Sequence, residues 1–331
     1  MKEILKRLTL HEKLSSEEAK SILTDITQDK YPPEQIASFV TVFMMRSISV
    51  EELGGFRDAL LDLCVKVDTR GMQSIDVCGT GGDGKNTFNI STISSFVVAG
   101  AGYKVTKHGN KSVSSNCGSS DVLQSLGYTF TNDQDTLLKQ LHQANICYLH
   151  APFFHPALKS VGPIRKALGL KTFFNMLGPL VNPANPTHQL VGVFDLQLLR
   201  LYEALYRHIE TEHTILHGMD GYDEISLTAP TKVVSHNRGI SLVSSADIGL
   251  SDYHQEQLYG GETIDDAKKI FVDILDNKGT DAQRDVVLAN SAMAIDCFKE
   301  VSDIASSLAE AKESLASGKA KSSLEKLLSL S

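Results

Sequence analysis

The sequence predicts an α/β protein, with a small helical N-terminal domain and a larger α/β domain built on a mainly parallel central sheet. Three observations carry this prediction. The first 67 residues show helical periodicity with short breaks. From residue 74 onward, short apolar runs alternate with amphipathic segments, the pattern of strands joined by helical crossovers. The last third then returns to helical spacing. A chain of 331 residues, 42% of them apolar, is long enough for two domains, which we place at 1–67 and 68–331.

Each element has its own local reason. Ser15 or Ser16 caps a helix whose first turn holds Glu17 and Glu18, and Ala19, Ile22, Leu23 and Ile26 repeat along one face. Pro32 and Pro33 open the next helix, since a first turn tolerates proline, and Ile36, Phe39, Val40 and Phe43 form its stripe. Leu53, Phe56, Leu60 and Leu63 mark another. In the second domain, SIDVC, YKVTKHG, ICYLH, HQLVGVF, HTILHG and EISLT read as strands. Between them ISTISSFVVAGAG, SDVLQSLG (ending at Gly127), DTLLKQLHQA and 196–208 read as helices. DDAKKIFVDIL, QRDVVLANSAMAIDCF and DIASSLAEAKESLASG complete the chain as helices. Ligands of parallel sheets bind beyond the carboxyl ends of the strands, so the loops after Cys78, Lys107, His150 and His217 are expected on one rim.

A net charge of −8 argues against a general nucleic-acid binder, which needs a basic face. No run of 18 apolar residues predicts a membrane span, and the N-terminal stretch lacks the apolar core of a secretory signal. The five cysteines form no C-x-x-C pair, which fits a reducing cytoplasm rather than a disulfide framework or a zinc knuckle.

The stretch DVCGTGGDGKNTFNIST, 76–92, satisfies most of two phosphate-binding patterns. As a P-loop it fails because Asn86, not Ser or Thr, follows Lys85. As a dinucleotide fingerprint it fails because no acid occurs between Gly84 and Ser120 to hold a ribose. That acid-free window instead carries Lys85, Lys104, Lys107, Lys111 and His108 among many small polar residues. Such a composition suits a polyanion cradled by backbone N–H groups, hydroxyls and lysines. Gly79 to Asp83 would wrap the phosphates, with glycine allowing close approach. Asn89, Ser91 and Thr92 would present a helix N-terminus, and Lys107 is the best candidate for a direct phosphate contact. A plain N-cap role for Asn89 and Ser91 is the alternative, and both roles can coexist.

Four blocks together resemble the anthranilate phosphoribosyltransferase family of tryptophan biosynthesis: 76–92, KHGNKSVSSNCGSSDVLQSLG, HPALKSVGPIRKALGLKTFFNMLGPLVNP and HGMDGYDEIS. The resemblance implies a phosphoribosyltransferase fold related to the nucleoside phosphorylases, a homodimer formed through the helical parts, and Mg²⁺ as cofactor. It implies transfer of the ribosyl phosphate of 5-phosphoribosyl-1-pyrophosphate to the amine of anthranilate, with pyrophosphate released. The donor site it implies comprises Gly79, Gly82, Asp83, Thr87, Asn89, Ile90, Ser91, Thr92, Lys107, His108, Gly109, Asn110, Lys111, Ser112, Val113, Ser114, Ser115 and Ser119. Gly79, Asn110 and Arg165 are the implied anthranilate contacts, and Ser91, Asp223 and Glu224 the implied metal ligands. The sequence departs from the family pattern at Lys111 and Lys171, where arginine is usual, at Asn116–Cys117, and at Gly162. Arg-to-Lys changes lose bidentate geometry.

The residue chemistry agrees. A guanidinium at Arg165 suits a carboxylate. Asp223 and Glu224, just past a strand, suit Mg²⁺, which favours a few carboxylates plus phosphate and water. Phe153, Phe154, Met176 and Pro179 are candidates for an aromatic slot. His108 and His155 are available to take the departing proton, although each is more often a hydrogen-bonded structural histidine; no catalytic residue is assigned. Two rivals stand beside this reading: a pyrimidine nucleoside phosphorylase and a non-catalytic nucleic-acid-binding relative.

Overall fold

The computed structural model describes residues 1–111, 117–236 and 238–331. Four helices open the chain: α1 (Lys2–Thr9), α2 (Ser16–Thr27), α3 (Pro33–Met45) and α4 (Val50–Leu63). Ser15 and Ser49 cap α2 and α4 through reciprocal capping boxes with Glu18 and Glu52, and α3 carries proline in its first turn, as the sequence predicts.

The second domain holds one seven-stranded sheet, made of β1 (Ile75–Gly79), β2 (Val105–Gly109), β3 (Ile146–His150), β4 (His188–Gly192), β5 (Glu212–Gly218), β6 (Thr231–Ser235) and β7 (Gly239–Val243). The strand order is β3-β2-β1-β4-β5-β6-β7. The first five are mutually parallel, and β6 and β7 continue the sheet antiparallel. The crossovers are α5 (Ile90–Gly100), α6 (Ser119–Ser125) with α7 (Gln134–Gln143), the short turns α8 (Ala151–Phe154), α9 (Gly162–Leu168) and α10 (Phe174–Leu177), and α11 (Leu196–Tyr206). Beyond the sheet come α12 (Ser245–Ile248), α13 (Ile264–Leu275), α14 (Asp281–Asp296), α15 (Ile304–Ala316) and α16 (Lys319–Ser329).

Among the described residues, two large hydrophobic cores flank the sheet, and a smaller one packs on Cys147 and Leu149 of β3. The larger joins α5, α13, α14, α15 and α16 to the β1 and β2 side chains Ile75, Val77 and Val105. The other joins α1–α4 to α9, α10 and α11 and to Val191, Ile215 and Val234 on the opposite sheet face. At its centre Phe56 stacks on Phe173, ring centroids 4.6 Å apart, inside a cluster with Phe39 and Phe43. The helical N-terminus is therefore seated against one face of the sheet.

One strand expectation is corrected. EISLT is not a strand, because the backbone of Ile225 is satisfied by a side chain. Its N–H donates to Asn290 Oδ1 at 3.0 Å, and its carbonyl accepts from Asn290 Nδ2 at 2.8 Å. The strands that follow are instead β6 and β7, which the sequence reading missed.

Candidate active site

The parallel strands end on one rim, and a cavity of about 550 Å³ opens there. Gly79, Gly82, Asp83, Thr87, Asn89, Ser91, Thr92, Lys107, His108, Gly109, Asn110, Lys111, Ser119, Arg165, Asp223 and Glu224 all line it. Ile90 is placed otherwise: its side chain belongs to the large core and its N–H bonds to the Phe88 carbonyl. Ser112, Val113, Ser114 and Ser115 lie outside the described residues.

The glycine loop after β1 is shaped by backbone conformation. Gly81, Gly82 and Gly84 have φ of 65°, 80° and 75°, which side-chain-bearing residues rarely adopt. At Gly79 the missing side chain has a further use. A Cβ there would stand 2.4 Å from Asp223 Oδ2, so its missing side chain admits a carboxylate. Gly192, at the end of β4, makes room for the same residue. The second cradle works alike: a Cβ on Gly109 would meet Ser119 Oγ and Tyr148 Oη, each at 2.4 Å.

Acidic side chains occupy part of the amide cradle. Gly81 N–H donates to Asp223 Oδ2 at 2.7 Å, and Ser91 N–H, in the first turn of α5, donates to Glu224 Oε1 at 2.9 Å. Lys85 N–H donates to Asp83 Oδ1 at 2.9 Å. Burial and the neighbouring Asp83 push Asp223 up to about 7. Burial raises Glu224 well above the usual range, and the charge of Asp223 adds to it. Asp83 is also raised, chiefly by burial. Among the described residues, no group of three or more acidic, histidine or cysteine side chains forms a metal cage. A donor set of buried, mutually repelling carboxylates beside the Ser91 residue fits Mg²⁺ bound together with phosphate and water.

Lys107 on β2 is 2% exposed and donates to the Val77 carbonyl at 2.6 Å. Burial lowers its pKa, while Asp76, Cys78 and Glu224 oppose that shift. Asn89 precedes α5 without capping it: its Nδ2 donates to the Cys117 carbonyl at 3.1 Å, and its Oδ1 is buried without a partner among the described residues. The first turn of α5 carries no acid of its own, and the carboxyl that meets its N-terminus comes from Glu224.

Arg165 also lines the cavity, half-buried, with its guanidinium 5.2 Å from the Phe174 ring centroid and, among the described residues, in no ion pair. Leu60, Leu158, Phe174, Leu177, Pro179 and Val181 supply the apolar surface. Of the aromatic-slot candidates only Pro179 lines the cavity. Phe154 is buried in a small core of its own, Phe153 is exposed, and Met176 packs against the helical core. Leu60 reaches in from α4, and its only sequence signal was membership of a helical stripe.

His108 and His155 face each other, ring centroids 5.3 Å apart. His108 Nδ1 lies 3.2 Å from the Gly178 carbonyl, and His155 Nε2 lies 2.9 Å from the Val181 carbonyl. A carbonyl only accepts, so each of these nitrogens carries the proton. The other nitrogen of each ring is therefore an unprotonated lone pair, buried without a partner among the described residues. Burial lowers His108 to about 3 and His155 to about 4, with the His155 ring contributing to the former.

Comparison with known proteins bears on this arrangement. Residues 2–64 match the model of the glycosyl transferase family helical bundle domain, and 71–321 match that of the glycosyl transferase family a/b domain. An anthranilate phosphoribosyltransferase of Christiangramia forsetii is 55% identical over 331 residues, covering 100% of this chain and 99% of the relative. The chain belongs to the anthranilate phosphoribosyltransferase family. The family member of Flavobacterium johnsoniae is 54% identical, with both chains fully covered. Among solved structures, the family enzyme of Thermus thermophilus superposes with a TM-score of 0.92 at 28% identity, covering 98% of each chain. The Saccharomyces cerevisiae enzyme, solved in complex with PRPP and Mg, gives 0.90 at 27% identity, covering 98% of this chain and 96% of that one. Neither rival reading gains support from these family matches.

Proposed function

We propose that the chain transfers the 5-phosphoribosyl group of 5-phosphoribosyl-1-pyrophosphate to the amine of anthranilate, releasing pyrophosphate, with Mg²⁺ as cofactor. The observation that carries this is one cavity that gathers two unlike sets of groups. Glycine cradles, Lys107 and three acids line it together with Arg165 and an apolar surface. The yeast relative solved with PRPP and Mg supports the donor and the metal.

The donor lies between the two glycine loops. Its phosphates take the remaining amides of the 79–84 loop, the polar groups of Asn89, Ser91 and Thr92, and the ammonium of Lys107. Gly109, Asn110, Lys111 and Ser119 hold its far end. Asp223, Glu224 and Ser91 hold Mg²⁺, which neutralises the leaving pyrophosphate when bound. Arg165 grips the anthranilate carboxylate and, with Asn110 and Gly79, directs the amine at C1. The aromatic amine is already unprotonated near neutral pH, so its lone pair forms the C–N bond as the C–O bond to pyrophosphate breaks. A bare ring nitrogen of His108 or His155 then receives the surplus N–H proton.

The same reading places residues 1–67 as the dimerising and hinge domain and 68–331 as the catalytic domain, in a cytoplasmic homodimer. Exposed Leu10, Met44 and Met45 on the helical part support a partner there. Sedimentation of the purified chain tests the dimer. The activity is tested by following loss of anthranilate fluorescence with donor and Mg²⁺. The signal decays in the complete mixture and holds steady with EDTA or without donor; a steady signal in the complete mixture overturns the reading.

A further inference from the structure

The glycine loop and its continuation are held from behind by a turn far along the chain. Asn86 and the 259–261 turn exchange hydrogen bonds: Gly260 N–H donates to the Asn86 carbonyl at 2.8 Å, and Asn86 Nδ2 donates to the Gly261 carbonyl at 3.0 Å. An antiparallel bridge pairs Thr87 with Tyr259 alongside them. This is why 86–89 remains non-helical where a P-loop would begin its helix. Asn86 and Thr87 line the cavity, whereas Tyr259, Gly260 and Gly261 do not.

Gly260 is buried, and the contact is tight. A Cβ there would stand 2.5 Å from both the carbonyl carbon and oxygen of Thr87 and 2.7 Å from Phe88 N. These are backbone atoms, so a side chain has no flexible neighbour to push aside. Gly260 has no positive φ to strain an alanine, so the effect of adding a methyl group is steric alone. Phe88 is anchored in the core, and Asn89 and Ser91 follow directly at the start of α5. Any displacement of 87–88 therefore moves the polar groups that would meet the donor phosphates.

We infer that Gly260 is a positioning residue for donor binding, setting the 86–89 segment at the depth the donor phosphates require. It acts through backbone contact and touches no substrate. This rests on the reading of the cavity as the donor site.

The test is Gly260→Ala in the full chain, with KM measured for both substrates and calorimetric Kd for pyrophosphate with Mg²⁺. Displacing a binding group by a sizeable fraction of an ångström is costly. The donor KM and the pyrophosphate Kd should each rise about tenfold, while the anthranilate KM stays within twofold. Gly279→Ala is the control for strain alone, since its Cβ would meet Ile274 Cγ1 at 2.8 Å away from the cavity, and it should leave the donor constants unchanged. If Gly260→Ala does not fold, Tyr259→Ala serves instead. That side chain is half-exposed with its hydroxyl beside Asn86, and its loss should raise the donor KM two- to fivefold. Donor constants unchanged in the folded variant, or raised equally for both substrates or in Gly279→Ala, overturn the inference while leaving the function intact. A wild-type chain that neither transfers nor binds pyrophosphate overturns both.

Discussion

Gly192 lies directly beneath Asp223, so closely that a Cβ at Gly192 would stand 1.4 Å from the Asp223 carbonyl oxygen. The end of β4 thus sets where the acidic loop after β5 can rest. The Gly192 carbonyl also accepts from Thr80 N–H, so one residue seats both the glycine loop and the acids. Gly192→Ala should lower kcat about 100-fold, since catalytic groups tolerate little misplacement. Steady-state assays with a far-ultraviolet dichroism spectrum as the folding check measure it; wild-type kcat would show that Asp223 needs no such seat.

Asp223 and Glu224 occupy the amides of Gly81 and Ser91, so two carboxyl groups stand where phosphate oxygens would bind. Wild-type protein should therefore bind pyrophosphate well only with Mg²⁺. Asp223→Asn with Glu224→Gln should bind metal-free pyrophosphate at least as tightly as wild type does without metal. The same double variant should weaken the Mg²⁺ dependence of activity and lower kcat. Calorimetry with and without EDTA, beside a Mg²⁺ titration of the rate, separates these effects. An unchanged Mg²⁺ profile would remove these residues from metal binding.

Arg165 is partly desolvated, which lowers its pKa, yet it stays cationic because the guanidinium group starts so high. Arg165→Ala should raise the anthranilate KM by about 30- to 100-fold, the loss of about 2–3 kcal/mol expected for a charged hydrogen-bonded contact. The donor KM should move far less. A larger rise in the donor term would reassign Arg165 to the phosphates.

His108 and His155 are held neutral by burial, with folded pKa values of about 3 and about 4, below the ordinary 6.5. For a depressed folded pKa the unfolded chain binds the extra proton first. Their contribution is therefore fully present above pH 6.5 and is lost as pH falls towards the folded values. Between pH 6 and pH 4.5 each should cost about 1 kcal/mol of stability per pH unit. Urea titrations at several pH values measure the slope, and His155→Gln should reduce it. A slope identical to wild type would mean that the His155 ring is charged in the folded protein.

The parallel half of the sheet was legible because its strands are short apolar runs ending at glycine or histidine, as in IDVCG and VTKHG. β6 and β7 were not: TKVVS carries a lysine within its run, and β7 is an edge strand that leaves Ile240 and Leu242 exposed. EISLT has strand composition, but its pairing partner is the side chain of Asn290, a residue that no local pattern connects with it. The two glycine-rich loops of the cavity could be read because their residues are contiguous. Its apolar lining could not, because Leu60, Leu158, Phe174 and Val181 come from separate elements and meet only through packing. Asn89 shows the limit of a local rule: its position is that of a cap, while its side chain spans to Cys117.

The cavity is lined from two different hydrophobic cores. Phe88, at the end of the glycine-rich segment, is part of the larger core, while Leu177 and Val181 belong to the one shared with the N-terminal helices. Repacking around Phe56 and Phe173 therefore reaches the apolar lining directly, and reaches the glycine loop only through Cys78, among the described residues the one beside that loop which packs on the same core.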